Sequence, residues 1–235
     1  MTVESSPLPC PPPRVTLAAP WLLLDLGIPC RIAGWPVVGP SLGLARHITW
    51  LQVVNADLPP GTDPAGLFDR RAGTDGVVAD VGLLTAADVT RYRHIRREED
   101  GVAVDSVATS GLGNGESVVA KRPGIAGRPV PPHPVGTINV VAALSQPLTT
   151  AAMLEALSVA AEARTAAVLA LGLIMPGDGR PVTGTGTDCI VVACPEGADA
   201  ARHCGLHTTV GRLLGETVYQ AVLEASREWL TTQHH

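Results

Sequence analysis

Residues 183–188, TGTGTD, hold the densest set of groups in the chain that could act on a substrate. Gly184 and Gly186 let backbone amides approach a ligand, and Thr183, Thr185 and Thr187 offer hydroxyls that donate or accept. Asp188 closes the segment where the apolar run CIVVAC (189–194) begins, which puts its carboxylate at a strand edge. A phosphate loop needs a helix directly after its glycines, and here a strand follows, so a nucleotide-binding reading fails. A tight turn ahead of a strand is the alternative that carries no chemistry.

Five further places carry reactive or orienting groups. HCGLHTTVG (203–211) sets His207, Thr208 and Thr209 at the start of a long helical pattern. The unpaired N–H groups and positive dipole end there lower a histidine's pKa and would make a neutral general base. Alternatively, Thr208 or Thr209 is simply the N-cap, with His207 exposed beside it. In GTIN (136–139) Asn139 falls in or near a buried strand, where its amide either polarises a carbonyl or bonds neighbouring backbone. Glu162 shares a helical stripe with Glu155 and Thr165 and faces either solvent or a cleft. Thr85 and TSGLGN (109–114) are hydroxyl- and glycine-bearing turns after strands.

Metal binding finds poor support. Cys189, Cys194, His203, Cys204 and His207 lie close together without a CxxC pair. A strand would turn Cys189 and Cys194 to opposite faces, so buried inert thiols are expected instead of ligands. Five irregularly spaced cysteines do not make a disulfide framework. With a net charge of −5, aromatics at 3% and the basic run 91–97 followed at once by Glu98, Glu99 and Asp100, nucleic acid is excluded as a partner. No apolar run reaches the roughly 20 residues that span a bilayer. Residues 1–13 hold prolines and no apolar leader core, so a cytoplasmic location without a membrane partner is expected.

These groups need elements to hold them. Residues 1–13 are expected to be a disordered proline-rich tail, with a single domain over 14–235. From Arg14 to Asn55, short β-like runs broken by Gly27, Pro29, Gly34 and Gly39-Pro40 predict an antiparallel meander. Asp63 as N-cap and Pro64 at the first helical position predict a short helix over 64–71. VVADVGLL and GVAVDSVATS predict two more strands, and 121–134 an irregular excursion. VGTINVVAAL (135–144) and CIVVAC predict buried strands. Thr149 or Thr150 caps a helix whose apolar face reads as Leu154, Leu157, Ala161, Val168 and Leu171. A second helix runs from about Thr208 to Trp229, its stripe Val210, Leu213, Leu214, Thr217, Val218, Ala221, Val222, Ala225 and Trp229. The fold class expected is α+β, mixed β-sheets with two principal packed helices, with layered α/β as the alternative.

Taken together, six segments resemble the adenosylcobinamide amidohydrolase family (CbiZ-type): GLLTAADV (82–89), ATSGLGN (108–114), VGTINVV (135–141), EARTAAV (162–168), TGTGTDCIVV (183–192) and HTTVGRLLGETVYQAV (207–222). Their order, and TGTGTD followed by a helix opening with HTTVG, make the resemblance specific. It implies hydrolysis of the amide that links the aminopropanol arm of adenosylcobinamide to the corrin ring, in corrinoid salvage. The partner is then a corrinoid small molecule, and the cobalt belongs to it, so the protein needs no cofactor or metal of its own. A homo-oligomer is left open. For such a reaction Asp188 or His207 would serve as base, with Asn139 and the Gly184–Thr187 backbone as oxyanion donors and Glu162 as reserve acid. Thr85, Thr183, Gly184, Thr185, Gly186, Thr187 and Thr208 would surround the substrate. A threonine nucleophile, Thr185 or Thr187, has no obvious activating partner in sequence. A corrinoid carrier that does not hydrolyse, or a hydrolase of another amide, are the competing expectations.

Overall fold

A computed structural model describes residues 11–119, 128–129, 136–177 and 179–232. In chain order its strands and helices are β1 (Arg14–Ala18), β2 (Trp21–Gly34), β3 (Leu42–Gln52), α1 (Pro64–Asp75), β4 (Val81–Thr85), β5 (Arg93–Glu99), β6 (Val102–Ser110), β7 (Gly115–Glu116), β8 (Arg128–Pro129), β9 (Ile138–Leu144), α2 (Thr150–Leu169), β10 (Leu173–Ile174), β11 (Gly184–Thr185), β12 (Cys189–Cys194) and α3 (Thr209–Thr232). No described helix is long and apolar enough to cross a membrane.

One mixed sheet carries the fold, in the order β4-β3-β2-β12-β9-β6-β5, with β1 paired to the first part of β2. The expected meander is present as β1, β2 and β3, all antiparallel. Gly27 and Pro29 do not end a strand as the sequence suggested. The chain passes through an irregularity after Asp25, where Gly27 takes φ 79° and donates its N–H to the Asp25 carboxylate. This lets β2 serve two neighbours on one side: β1 along Trp21–Asp25 and β12 along Arg31–Gly34. The central pair, β9 and β12, is parallel. Such a pair needs a crossover, and α2 supplies it.

Alternation along the central strands separates two cores. Ile190, Val192 and Cys194 face the helices with Ile138, Val140 and Ala142, whereas Cys189, Val191 and Ala193 face the other way with Val141 and Val107. The expected opposite facing of Cys189 and Cys194 is therefore found. Among the described residues no α-helix covers the second face. The sheet coils until β3 and β4 lie over it, so Ile48, Trp50 and Leu83 complete that core. Fully buried Asn139 joins the two halves, its Nδ2 donating to Leu84 O at 2.7 Å. Outside the coil, α1 closes a small third cluster in which Phe68 meets Trp21 edge-on at 5.4 Å. Its start is as expected: the Asp63 carboxylate accepts from Ala65 N, and Pro64 opens the helix.

α3 buries the whole stripe read from the sequence, Val210 to Trp229. Ser106 Oγ donates to Thr217 Oγ1 at 2.8 Å, and Ser110 Oγ meets Ser226 Oγ at 2.7 Å, which fixes α3 along β6. α2 differs from expectation. Thr149 caps it, and of the expected face Val168 is buried and Leu157, Ala161 and Leu171 pack partly buried against the core. Most of the buried face, however, consists of Ala152, Met153, Ala156, Val159, Ala160, Ala163 and Ala167, while Leu154 is 55% exposed. The helix packs beside α3 and against β12 and β2 of the sheet, and small side chains let the backbones approach, so alanines fill most of that face. The segment between β4 and β6 holds β5, a strand not foreseen, because RHIRREE reads as solvated charge. The result is an α+β fold with three helices. The tail at 1–10 and most of the excursion at 121–134 lie outside the described residues; 11–13 carry no regular structure.

Asn139→Ala should cost about 1–3 kcal/mol, because it leaves the buried Leu84 carbonyl without its donor. A lowered urea midpoint with an unchanged slope is the expected measurement; an unshifted midpoint would show that the coil does not depend on this amide.

Candidate functional site

The parallel pairing of β9 and β12 sets their N-termini side by side, with Cys189 opposite Asn139. β6 runs antiparallel to β9 and ends there, with Thr109 opposite Asn139. β4, coiled over this end, brings Thr85 Oγ1 within 3.4 Å of Thr109 Oγ1. Four separate turns thus meet at one end of the sheet: 85–88, 111–114, 136–137 and 183–188. Each belongs to a segment that carries the family resemblance.

Asp188 is the centre of this end. Its Oδ1 accepts from Ile138 N at 3.0 Å and, at short range, from Thr185 Oγ1. Its Oδ2 accepts from Thr185 N at 3.0 Å and, also at short range, from Arg164 Nη1. The carboxylate is 6% exposed and Arg164 of α2 is 16% exposed, so this is a largely buried ion pair whose oxygens are filled by four donors. Thr137 Oγ1 donates to Thr187 O at 2.9 Å, and Thr187 Oγ1 donates to Gly136 O at 3.2 Å. Together these bonds hold the loop 183–188 against the start of β9.

Two cavities flank the loop. A polar cleft of about 300 Å³ is lined by Trp35, Glu116, Arg164, Thr165, Thr183, Gly184, Thr185, Gly186 and Asp188, among others. Trp35 closes one side and donates its indole N–H to Asp188 O at 2.6 Å. The other cavity, about 250 Å³, is mainly apolar and includes Leu84, Thr85, Asn114, Thr137, Thr187 and Cys189. Arg164 Nε and Asn114 Oδ1 are buried beside the loop and have no partner among the described residues. They hold hydrogen-bonding capacity that the protein leaves unused. Gly184 cannot be larger: a Cβ there would run into Arg164 Nη1 and come within 2.6 Å of Asp188 Oδ2.

The site residues inferred from sequence divide accordingly. Thr183, Gly184, Thr185, Gly186, Thr187 and Asp188 form the loop, and Thr85 and Asn139 stand beside it. Asn139 is turned from the cleft, its amide bonded to Leu84 O and accepting from Thr137 Oγ1 at 3.3 Å. His207 and Thr208 lie elsewhere. The loop precedes β12 and residues 203–208 follow it, so the strand's length separates them, roughly 20 Å at 3.3 Å per residue. Thr208 is a cap, its Oγ1 accepting from Gly211 N at 3.0 Å, and His207 is exposed beside it. The expected convergence of Asp188 with His207 is therefore corrected. Glu162 is exposed on α2, about 200° around the helix from Arg164, and does not line the cleft.

Among the described residues no group of three or more His, Cys, Asp or Glu is placed to hold a metal ion. Burial pushes the Cys189 thiol up to about 11 and the Cys204 thiol to about 12, so neither supplies a thiolate at neutral pH. Sequence reasoning missed Arg164, Trp35 and Glu116. A lone arginine within the alanine-rich EARTAAV was the available signal for the first. Glu116 reaches the cleft only because the two-residue strands β7 and β11 pair, with Glu116 opposite Gly184. No periodic pattern announces a ladder that short.

Comparison with known proteins agrees with this arrangement of segments. Residues 13–234 match the family model described as adenosylcobinamide amidohydrolase. An adenosylcobinamide amidohydrolase of Halobacterium salinarum is 40% identical over 89 residues, which are 38% of this chain and 35% of that protein. An uncharacterised protein of Methanocaldococcus jannaschii is 34% identical over 100 residues, 42% of this chain and 39% of the relative. The aligned stretches thus span little more than a third of those relatives' lengths. A Burkholderia beta-aminopeptidase structure superposes with a TM-score of 0.42 at 15% identity, covering 87% of this chain and 78% of the other. With the family model matched over nearly its whole length, the chain belongs to the adenosylcobinamide amidohydrolase family.

Proposed function

We propose that the chain hydrolyses the amide joining the aminopropanol arm of adenosylcobinamide to the corrin ring, giving adenosylcobyric acid and 1-aminopropan-2-ol for corrinoid salvage. The observation that carries this reading is the Thr185–Asp188–Arg164 constellation facing the polar cleft, within one of the segments of the family resemblance. A corrinoid is a wide disc rimmed with amides. Gly184 and Gly186 leave the loop without bulk, so such a rim can approach backbone N–H groups and threonine hydroxyls. The cobalt is part of the substrate, and the proposed reaction draws on no metal of the protein.

Amide hydrolysis needs a positioned attacker, stabilisation of the tetrahedral oxyanion and a proton for the departing amine. In this geometry Asp188 orients rather than abstracts, because four donors occupy its oxygens. The Thr185 hydroxyl proton is committed to Asp188 and one lone pair of Oγ1 accepts from Thr187 N at 3.4 Å, so the remaining lone pair can hold the attacking water. Charge on the carbonyl oxygen is met by the Arg164 guanidinium and by Gly186, whose N–H has no acceptor among the described residues. Asn139 leaves the set of oxyanion donors, since its amide serves the Leu84 carbonyl. Thr183 and Thr187 flank the loop on its two cavities and would touch the corrinoid rim.

Incubation with adenosylcobinamide, followed by mass spectrometry, should yield adenosylcobyric acid and free aminopropanol without ATP, at a rate unchanged after exhaustive chelation. A visible-spectrum shift with an intact substrate mass would mark a corrinoid carrier and overturn the proposal.

Asp188→Asn should lower kcat on the order of 10²–10⁴-fold, since the amide cannot hold both Thr185 and Arg164 as the carboxylate does. His207→Ala, at the far end of β12, should turn over like the wild type. If steady-state kinetics reversed that order, the reaction site would lie at the start of α3.

A further inference from the structure

We propose that Glu116 is the residue that moves the proton in this reaction. The inference rests on the reading of the cleft as an amide-hydrolysing site. Glu116 stands opposite Gly184 in the antiparallel pairing of β7 with β11. Directly paired residues on antiparallel strands turn their Cβ atoms to one face. On that face, the space where Gly184 lacks a side chain is bordered by Arg164 and by Asp188 Oδ2. Glu116 therefore leaves its strand toward the guanidinium and the loop. Its Cγ is also the nearest atom, at 4.0 Å, to where a Cβ on Gly186 would stand. Gly186, without a side chain, leaves beside it the room that the glutamate side chain uses.

The cleft holds two carboxylates in contrasting surroundings. Asp188 is buried, paired and fully engaged; Glu116 is exposed, and no described residue donates to its carboxylate. Two carboxylates in unlike environments take unlike roles, one fixed and one exchanging protons. Water held at Thr185 adds to the amide carbon, forming the C–O bond, while Glu116 accepts one water proton. As the C–N bond breaks, Glu116 returns that proton to the amine nitrogen and ends ionised, as it began. One amide and one water become one acid and one amine, with no other reactant.

The test uses the full chain with adenosylcobinamide. Glu116→Gln should lower kcat about 10²–10⁴-fold while the corrinoid dissociation constant, from visible titration, stays at the wild-type value. Any loss of wild-type turnover on the acid side should be absent from the residual Glu116→Gln rate. Added formate should restore part of the Glu116→Ala rate, which a merely structural glutamate would not allow. Circular dichroism of each variant should match the wild type, the residue being exposed. Undiminished kcat in Glu116→Gln, or a loss carried entirely by weaker binding, overturns this role and leaves the hydrolase reading standing. Wild-type protein that never cleaves the amide overturns both.

Discussion

The ion pair between Arg164 and Asp188 is the constraint on which the site end of the molecule depends. Removing two charges from water is expensive, and a buried pair is sustained only when further hydrogen bonds satisfy what the partners leave open. Here those further donors come from Ile138 N and from both the backbone and hydroxyl of Thr185. One carboxylate thereby ties α2, the start of β9 and the loop before β12 to one another. The loop's glycines follow from that closure, because Gly184 sits against the pair with no room for a side chain. Threonines and glycines ahead of the most apolar strand are thus the lining of a buried charge and the wall of a cleft at once.

The coil of the sheet performs the other half of the positioning. β4 reaches the site only because the sheet turns over its own second face, and the Asn139 amide joins the layers where they meet. A polar residue in a core is tolerated when every group it carries is satisfied, and Asn139 is satisfied by Leu84 O and Thr137 Oγ1. The asparagine that looked like a catalytic amide is instead what keeps the Thr85 turn beside the loop.

Much of this was legible in the sequence, for reasons that can be named. α3 was readable because its stripe is long and its outer face polar; α1 because Asp63 and Pro64 form an unambiguous start. The buried face of α2 was read only in part, with Val168 but without the alanines, because leucine outweighs alanine in any pattern of hydrophobicity, whereas close packing selects the smaller side chain. β5 escaped notice because Arg96 finds its counter-charge, and His94 a hydrogen-bond partner, on β6 in the buried Asp105, and pairing of that kind is invisible along the chain. The loop was recognised as a site, yet its partner was misjudged. His207 is near Asp188 in sequence, but a strand lies between them and carries the chain to the other end. Arg164 and Glu116, distant in sequence, are brought in by a helix crossover and a two-residue ladder.

The direction of the two long helices has an electrostatic consequence for this end. α2 starts beside Arg31, far from the loop, and reaches Arg164 only past its midpoint; α3 starts at Thr209 and reaches Ser110 through Ser226. Both therefore run toward the cleft with their carbonyl ends leading, the negative ends of their macrodipoles. Helix fields of that sign oppose an anion and favour a cation. In the proposed reaction a developing oxyanion would gain nothing from them, which leaves the demand for positive potential to the Arg164 side chain and the Gly186 N–H. An amine leaving the same cleft as an ammonium ion moves through a field that welcomes it. The fold's polarity thus suits the departure of an amine, as the proposed reaction requires, and Arg164 with the Gly186 N–H opposes that polarity where negative charge would form.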